Sequence, residues 1–167
     1  MIMKGWKDMK IVQRFMILVI GIFGFGSSVY ASTNYDSYCN ARFGFSTLYP
    51  TAFGMAPSSD NNDGRKFYDR DGFSMTVSAS YNALDYSLRD EMRSMQQDFD
   101  KVTYRRLKGN WFVLSGYSGS DILYIKTYLA NGTLYHLYMK YPYSMKRVYD
   151  SIVSNVSKSF VPYCPRR

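Results

Sequence analysis

The chain has 167 residues, with 21 Lys and Arg against 13 Asp and Glu, two Cys and one His. That length suits one domain with a sizeable core, and one His with two widely separated Cys leaves too few ligands for a zinc centre. Aromatic content is 18%, including 17 Tyr and 11 Phe, a usage that favours sheet.

The first thirty-one residues have the three parts of a secretory signal. Lys4, Lys7, Lys10 and Arg14 stand against the single acid Asp8; residues 15–25 are apolar and uncharged; Val29-Tyr30-Ala31 puts small or branched residues at the −3 and −1 positions of a peptidase site. The apolar run is well short of the ~20 residues of a membrane span, which argues against an uncleaved anchor. A lipid anchor would need a Cys directly behind that run, whereas Cys39 follows the polar Asn34, Asp36 and Ser37. The expected organisation is a signal peptide over 1–31 and a single domain over 32–167, exported to the periplasm or beyond, with no transmembrane anchor after cleavage. The leader holds 4 of the 21 cations and 1 of the 13 acids, so the domain keeps 17 against 12 and its net charge falls from +8 to +5. Mild positive charge on an exported domain favours a protein or an anionic envelope component as partner. Export puts nucleic acid out of reach.

Residues 32–38 read as a polar lead-in. Residues 42–49 put Phe43, Phe45, Thr47 and Tyr49 on one face of a strand that Pro50 stops. A loop over 51–64 leads to a short strand at 65–68, and Asp71-Gly72 turns the chain into a strand at 73–81. Over 87–100 the period changes: Leu88, Met92, Met95 and Phe99 recur at helical spacing, with Ser87 and Asp90 forming a capping box. Four strands follow, at 102–107, 111–117, 122–130 and 133–141; the last two are joined by Asn131-Gly132, both tolerant of positive φ. A final helix over 144–160 carries a stripe of Met145, Val148, Ile152, Val156 and Phe160, and Pro162 closes it.

The order β-β-β-α-β-β-β-β-α implies an α+β domain with a largely antiparallel sheet of about six to seven strands. In the last hairpin one face holds Leu123, Ile125, Leu129, Leu134 and Tyr138, and the other holds Tyr124, Tyr128, Tyr135, Leu137 and Met139. Both faces need cover, which one helix on each would give in an α/β/α sandwich. Cys39 and Cys164 make an even pair, which in an oxidising compartment most simply forms a disulfide; two buried thiols are the alternative. If the first strand and last helix share one sandwich, their ends can approach the ~4.4–6.8 Å Cα separation that the bond requires.

Phe43-x-Phe45-Ser46-x-x-Tyr49-Pro50, the Asp63-Gly64 loop and the element order resemble the PsbP-like superfamily of α/β/α sandwiches. The resemblance implies a small, exported, non-catalytic accessory or assembly factor. Many such sequences place a Trp soon after the Tyr-Pro, where this one has Thr51-Ala52-Phe53, and no functional residue carries over.

Several constellations of side chains resemble chemical sites. His136 with Ser118 and Asp121 suggests a triad, but residues 116–120 (Gly-Tyr-Ser-Gly-Ser) lack the spacing and the following helix of a nucleophile elbow. Residues 59–70 suggest a calcium loop, with Ser59, Asn61 and Asp63 in the first ligand positions, yet Arg70 stands where a bidentate Glu is needed. A solvated turn accounts for the same residues, and weak adventitious binding by Asp60, Asp63, Asp69 and Asp71 is the alternative. Asp90-Glu91 and Asp98/Asp100 read as charges of an exposed helix flank. Asn131 and Asn155 match glycosylation sequons, but one belongs to a turn and the other to a helix. Basic residues interleave with aromatics at Tyr104-Arg105-Arg106 and over 141–147, a pattern shared by stacking surfaces and by cations that snorkel around a sheet edge. The expectation is an exported accessory or binding protein of the cell envelope with no catalytic residue, metal or cofactor. A small hydrolase of envelope polymers, or a secreted protein that binds or inhibits another protein, are the competing readings.

Overall fold

The computed structural model describes residues 33–165; the expected signal peptide lies outside the described residues. Among the described residues nine strands are formed: β1 (Tyr35–Cys39), β2 (Ser46–Pro50), β3 (Gly54–Met55), β4 (Gly64–Tyr68), β5 (Ser74–Tyr81), β6 (Lys101–Lys108), β7 (Trp111–Ser118), β8 (Asp121–Ala130) and β9 (Thr133–Pro142). Two α-helices, α1 (Leu88–Met95) and α2 (Lys146–Ser159), follow β5 and β9. Seven strands make one antiparallel sheet in the order β3-β4-β5-β9-β8-β7-β6, while β1 and β2 pair separately. The fold is α+β, in agreement with the element order of the sequence.

The β8–β9 hairpin sits near the middle of the sheet. Its turn residues Asn131 (φ 51) and Gly132 (φ 69) are both left-handed, the conformation that matches the twist of the flanking strands. Register then runs without a break from Ala130↔Thr133 to Asp121↔Pro142. On one face Phe67, Met75, Val77, Leu137 and Met139 pack with Phe45, Val156 and Phe160 in the larger core. On the other, Phe112, Leu114, Leu123 and Ile125 pack with Met95 in a smaller one. One helix thus covers part of each face.

The helix ends follow local chemistry. The Ser87 side chain accepts from the Asp90 N–H while the Asp90 carboxylate accepts from the Ser87 N–H, completing the expected capping box. The α-helix is shorter than its apolar spacing predicts, because residues Gln96–Asp98 tighten into a 3-10 turn before Phe99 becomes extended. A second 3-10 turn, Tyr143–Met145, precedes α2, and Ile152, Val156 and Phe160 are buried as the spacing predicts. Val148 is instead 56% exposed, and Tyr149, which the stripe omitted, is 3% exposed. The buried Tyr149 hydroxyl donates to Asp69 Oδ2. Asp69 Oδ1 in turn accepts from the backbone of Asp71 and Phe73, so one carboxylate shapes the β4–β5 turn and anchors α2.

The N-terminal quarter departs from the sequence reading. The lead-in is partly strand β1, whose polar Asp36 and Ser37 are exposed while Tyr38 packs edge-on against Phe45 and Phe67. The opening strand begins at Ser46 rather than residue 42, because the fully buried Asn40 accepts from the N–H groups of Arg42 and Phe43 and Gly44 turns with φ +67. The strand also stays out of the main sheet: β2 pairs with β1, and the hairpin lies beside α2 over the larger core.

This placement closes the domain. Ser46 and Val161 exchange backbone hydrogen bonds of 3.0 Å each way, and Ser46 Oγ donates to the Tyr163 carbonyl at 2.8 Å. The C-terminal segment is carried to the end of β1, where Cys39 and Cys164 form a disulfide with a Cα–Cα distance of 5.8 Å. The ring it closes spans a sequence separation of 125 residues, for which chain-entropy arguments give stabilisation on the order of 4–5 kcal/mol. Replacing both Cys39 and Cys164 by Ser is expected to lower the unfolding free energy by that order in denaturant titrations. Non-reducing peptide mapping should recover the cross-link, and ready alkylation of both thiols in the native protein would refute it.

Candidate binding surface

Beyond α2, the β6–β7–β8 end of the sheet extends as a shelf on the larger-core face. Register sets its side chains in three cross-strand rows: Lys108–Trp111–Tyr128, Arg106–Val113–Lys126 and Tyr104–Ser115–Tyr124. Each row follows from the alternation of strand side chains, so one face of β6 presents Tyr104, Arg106 and Lys108 together. The Arg106 guanidinium lies 5.8 Å from the Trp111 ring centroid. Lys126 Nζ lies 5.7 Å from the Trp111 centroid and 4.9 Å from that of Tyr128, so cations and aromatic faces alternate across the shelf.

Lys126 is the unusual member. It is 8% exposed, and its ammonium donates to the Ser157 carbonyl of α2 at 2.6 Å. Burial lowers its pKa to about 8, so the cation persists at neutral pH at a cost in solvation. The ion pairs among the described residues are Arg93–Asp90, Lys140–Asp121 and Lys146–Asp150. None includes Lys101, Arg106, Lys108 or Lys126 of the shelf, nor Arg105 on the other face of β6. The shelf therefore holds positive charge that no carboxylate of the described chain neutralises. Beside it a cleft of about 250 Å³, lined by Tyr104, Tyr117, Tyr124 and Tyr141 with Lys146 and Asp150, separates β6 and β7 from the start of α2. Tyr124 shares a hydrogen bond with Ser157, and burial raises its pKa.

The triad suggested by sequence is not brought together. His136 lies opposite Thr127 across the hairpin, while Asp121 lies opposite Pro142. Six residues of strand separate the two positions, roughly 20 Å at strand rise. Ser118 pairs with Asp121 at the far end. His136 Nδ1 and Thr127 Oγ1 are 3.1 Å apart, and the Thr127 hydroxyl also contacts Met95 Sδ under α1. Burial lowers the His136 pKa to about 4.

The 59–63 loop satisfies its own polar groups: Ser59 Oγ and Asn61 Nδ2 donate to the two oxygens of Asp63, at 2.6 and 2.9 Å. Those bonds hold the Asp63 pKa below its usual value, with the Ser59 contact the main cause. No group of three His, Cys, Asp or Glu side chains placed to hold a metal ion is found among the described residues. Asn131 serves the hairpin turn, and Asn155 donates to the Tyr35 hydroxyl. A larger groove of about 720 Å³ borders the disulfide, lined by Tyr38, Leu48, Ser159, Tyr163 and Pro165. Among the described residues no helix is long and apolar enough to cross a membrane.

The basic and aromatic residues of Tyr104-Arg105-Arg106 were visible in sequence, but their partners Trp111, Lys126 and Tyr128 come from other strands. A Lys at position 126 amid Tyr124, Ile125 and Tyr128 was the available signal, since a lone charge in a two-sided apolar strand has to be accommodated.

Comparison with solved structures places the fold. The chain is similar to cyanobacterial PsbP (CyanoP) from Synechocystis sp. PCC 6803, with a TM-score of 0.60 and 16% identity over 78% of this chain and 94% of that one. It is similar also to the Saccharomyces cerevisiae Ran-binding protein Mog1p, with a TM-score of 0.53 and 11% identity over 80% of this chain and 97% of that one. The fold is PsbP-like, as the opening motif and element order suggested, and at these identities the likeness concerns the fold alone. No family model matches the sequence, and no curated protein matches it.

A His buried in neutral form makes a pH prediction. In the unfolded chain it takes up a proton near pH 6.5, in the folded one near 4. The stability it contributes is thus full above pH 6.5 and is lost as pH falls to about 4, by on the order of 3 kcal/mol. His136→Gln should flatten the decline of unfolding free energy between pH 6.5 and 4, measured against wild type. Parallel curves for the two proteins would show that His136 does not titrate this way.

Proposed function

We propose that the protein is an exported, non-catalytic accessory or binding protein of the cell envelope, and that the β6–β8 shelf holds an anionic partner. The observation that carries this reading is the group of cations on the shelf, Lys126 included, that no acid neutralises although one of them is buried. A buried charge without a counterion reduces folding stability, and an anion supplied from outside offsets that cost. The flanking Trp111 and Tyr128 add flat, stackable surface of the kind that anchors interfaces. Support for export comes from the basic–apolar–small-residue leader and from the disulfide, a bond favoured in oxidising compartments. That Mog1p is described as Ran-binding is in keeping with a protein-binding use of such a fold. The separation of His136 from Ser118 and Asp121 favours binding over hydrolysis.

Processing and binding are tested separately. Intact mass of the exported protein is expected to correspond to a chain starting at Ser32; a product retaining Met1 would make this an anchored protein. After that cleavage Trp111 is the remaining tryptophan of the chain, the other being Trp6 in the leader, so its fluorescence reports the shelf directly. Titration with poly-L-glutamate should give a saturable response that weakens as salt rises. The double variant Arg106→Ala, Lys126→Met should bind about tenfold or more weakly, equivalent to about 1.4 kcal/mol. Equal binding by the variant, or no response from wild type, would overturn the reading.

A further inference from the structure

The shelf ends at β6, which among the described residues is an edge of the sheet. The opposite edge, β3, is two residues long, so it offers almost no backbone for pairing. β6 offers eight residues, Lys101–Lys108, of which six are exposed. Its outward backbone groups can be named. Gly109 (φ +57) and Asn110 form a two-residue turn between Lys108 and Trp111, which makes those two the hydrogen-bonded closing pair. Alternation along an antiparallel pair then directs the N–H and C=O of Leu107 and Arg105 away from β7. Beyond them, register shifts between Val102 and Tyr104, and the Thr103 hydroxyl bonds back to the Ser115 carbonyl. Among the described residues, a short stretch of strand-shaped backbone without a pairing partner thus runs from the bulge to the turn.

Its side chains specify what can pair there. Toward the shelf, Arg106 and Lys108 are cationic. Toward the other face, Arg105 is cationic, while Leu107 and Val102 are half-buried and pack against the smaller core. β6 itself contains no acid. A second copy of this chain would bring four cations against four, so the edge disfavours self-pairing, the usual protection of exposed edges. The same charges favour an acidic strand.

We infer that β6 is the docking edge for an extended acidic segment of a partner protein, which joins the sheet as an eighth strand. The alternation of β6 sets that of its partner: acidic residues on the shelf side, against Arg106 and Lys108, and apolar ones on the other side, extending the contact of Leu107 with the smaller core. Backbone hydrogen bonds to Arg105 and Leu107 supply the affinity that does not depend on sequence, and the alternating faces supply the selectivity. The inference rests on the anion-binding reading of the shelf but adds a backbone requirement that poly-anion binding does not have.

The test uses the disulfide-bonded domain and three synthetic peptides of equal length: one alternating Glu and Val, one of the same composition in blocks, and the alternating one N-methylated at every second residue. The alternating peptide should slow hydrogen exchange at the Arg105 and Leu107 amides, and should bind about tenfold or more tightly than the other two. Arg105→Glu with Arg106→Glu, checked for folding by circular dichroism, should abolish that binding. If the peptide alters Trp111 fluorescence while those two amides exchange as in the free domain, or if N-methylation costs nothing, the ligand lies on the shelf and the edge inference is wrong. If neither the peptides nor poly-L-glutamate perturb Trp111, the anion-binding reading fails with it.

Discussion

The β8–β9 hairpin turns on two residues, Asn131 and Gly132, held at positive φ, and the register of the two strands at the centre of the sheet follows from that turn. Strand side chains alternate with a period of two, so a one-residue slip would exchange the faces of β8. Lys126, Tyr124 and Tyr128 would move beneath α1, and Ile125 and Leu123 would face α2. The apolar pattern of both strands forbids that exchange. Thr127 and His136 meet on one face and Lys126 and Leu137 on the other because the ladder runs unbroken over its whole length. The shelf is therefore built from the most constrained part of the sheet, although β6 at its rim is among the most exposed.

Closure is achieved by different means. The larger core is capped by α2 and by the β1–β2 hairpin, and the hairpin is held by the backbone exchange between Ser46 and Val161 and then by the disulfide. Aromatic rings fill that junction: Phe45 meets Tyr38, Tyr135 and Phe160, each at a centroid distance of 6.1 Å. Such edge-on pairs add directional preference to burial. Both described ends of the domain are fastened on the side of the sheet that bears the shelf.

The elements with strong periodicity or turn chemistry were legible from sequence: the capping box at Ser87, the Asn131-Gly132 hairpin, the two-faced pattern of β8 and β9, and the Cys39–Cys164 pairing. What was hidden depended on contacts distant in sequence. β1 looks polar because only Tyr35 and Tyr38 are partly buried, and the start of its partner β2 is set by Asn40, a buried side chain whose role as a turn former is fixed by tertiary position. The stripe of α2 was legible at Ile152, Val156 and Phe160, but Val148 is exposed and Tyr149 is held inward by Asp69, eighty positions away. Of the binding surface, the basic β6 run was visible as composition. Its conversion into rows with Trp111 and Lys126 required the register.

The unequal cover of the two faces gives the surface its character. α1 is one short helix, yet the smaller core it covers reaches β6 through Leu107 and Val102, so the α1 side of the edge is apolar. α2 is longer and lies over β2 and β9, reaching β8 through Ser157, while β6 stays exposed on that side. Polar and charged groups therefore collect there, and the Ser157 carbonyl at the helix flank draws Lys126 under the ring of Trp111. An apolar residue of similar volume at position 126 would fill that space without the solvation cost that lowers the lysine pKa to about 8. The fold meets that charge with the Ser157 carbonyl and the faces of Trp111 and Tyr128, and on the reading proposed above the remainder of it is kept for contact with an anion.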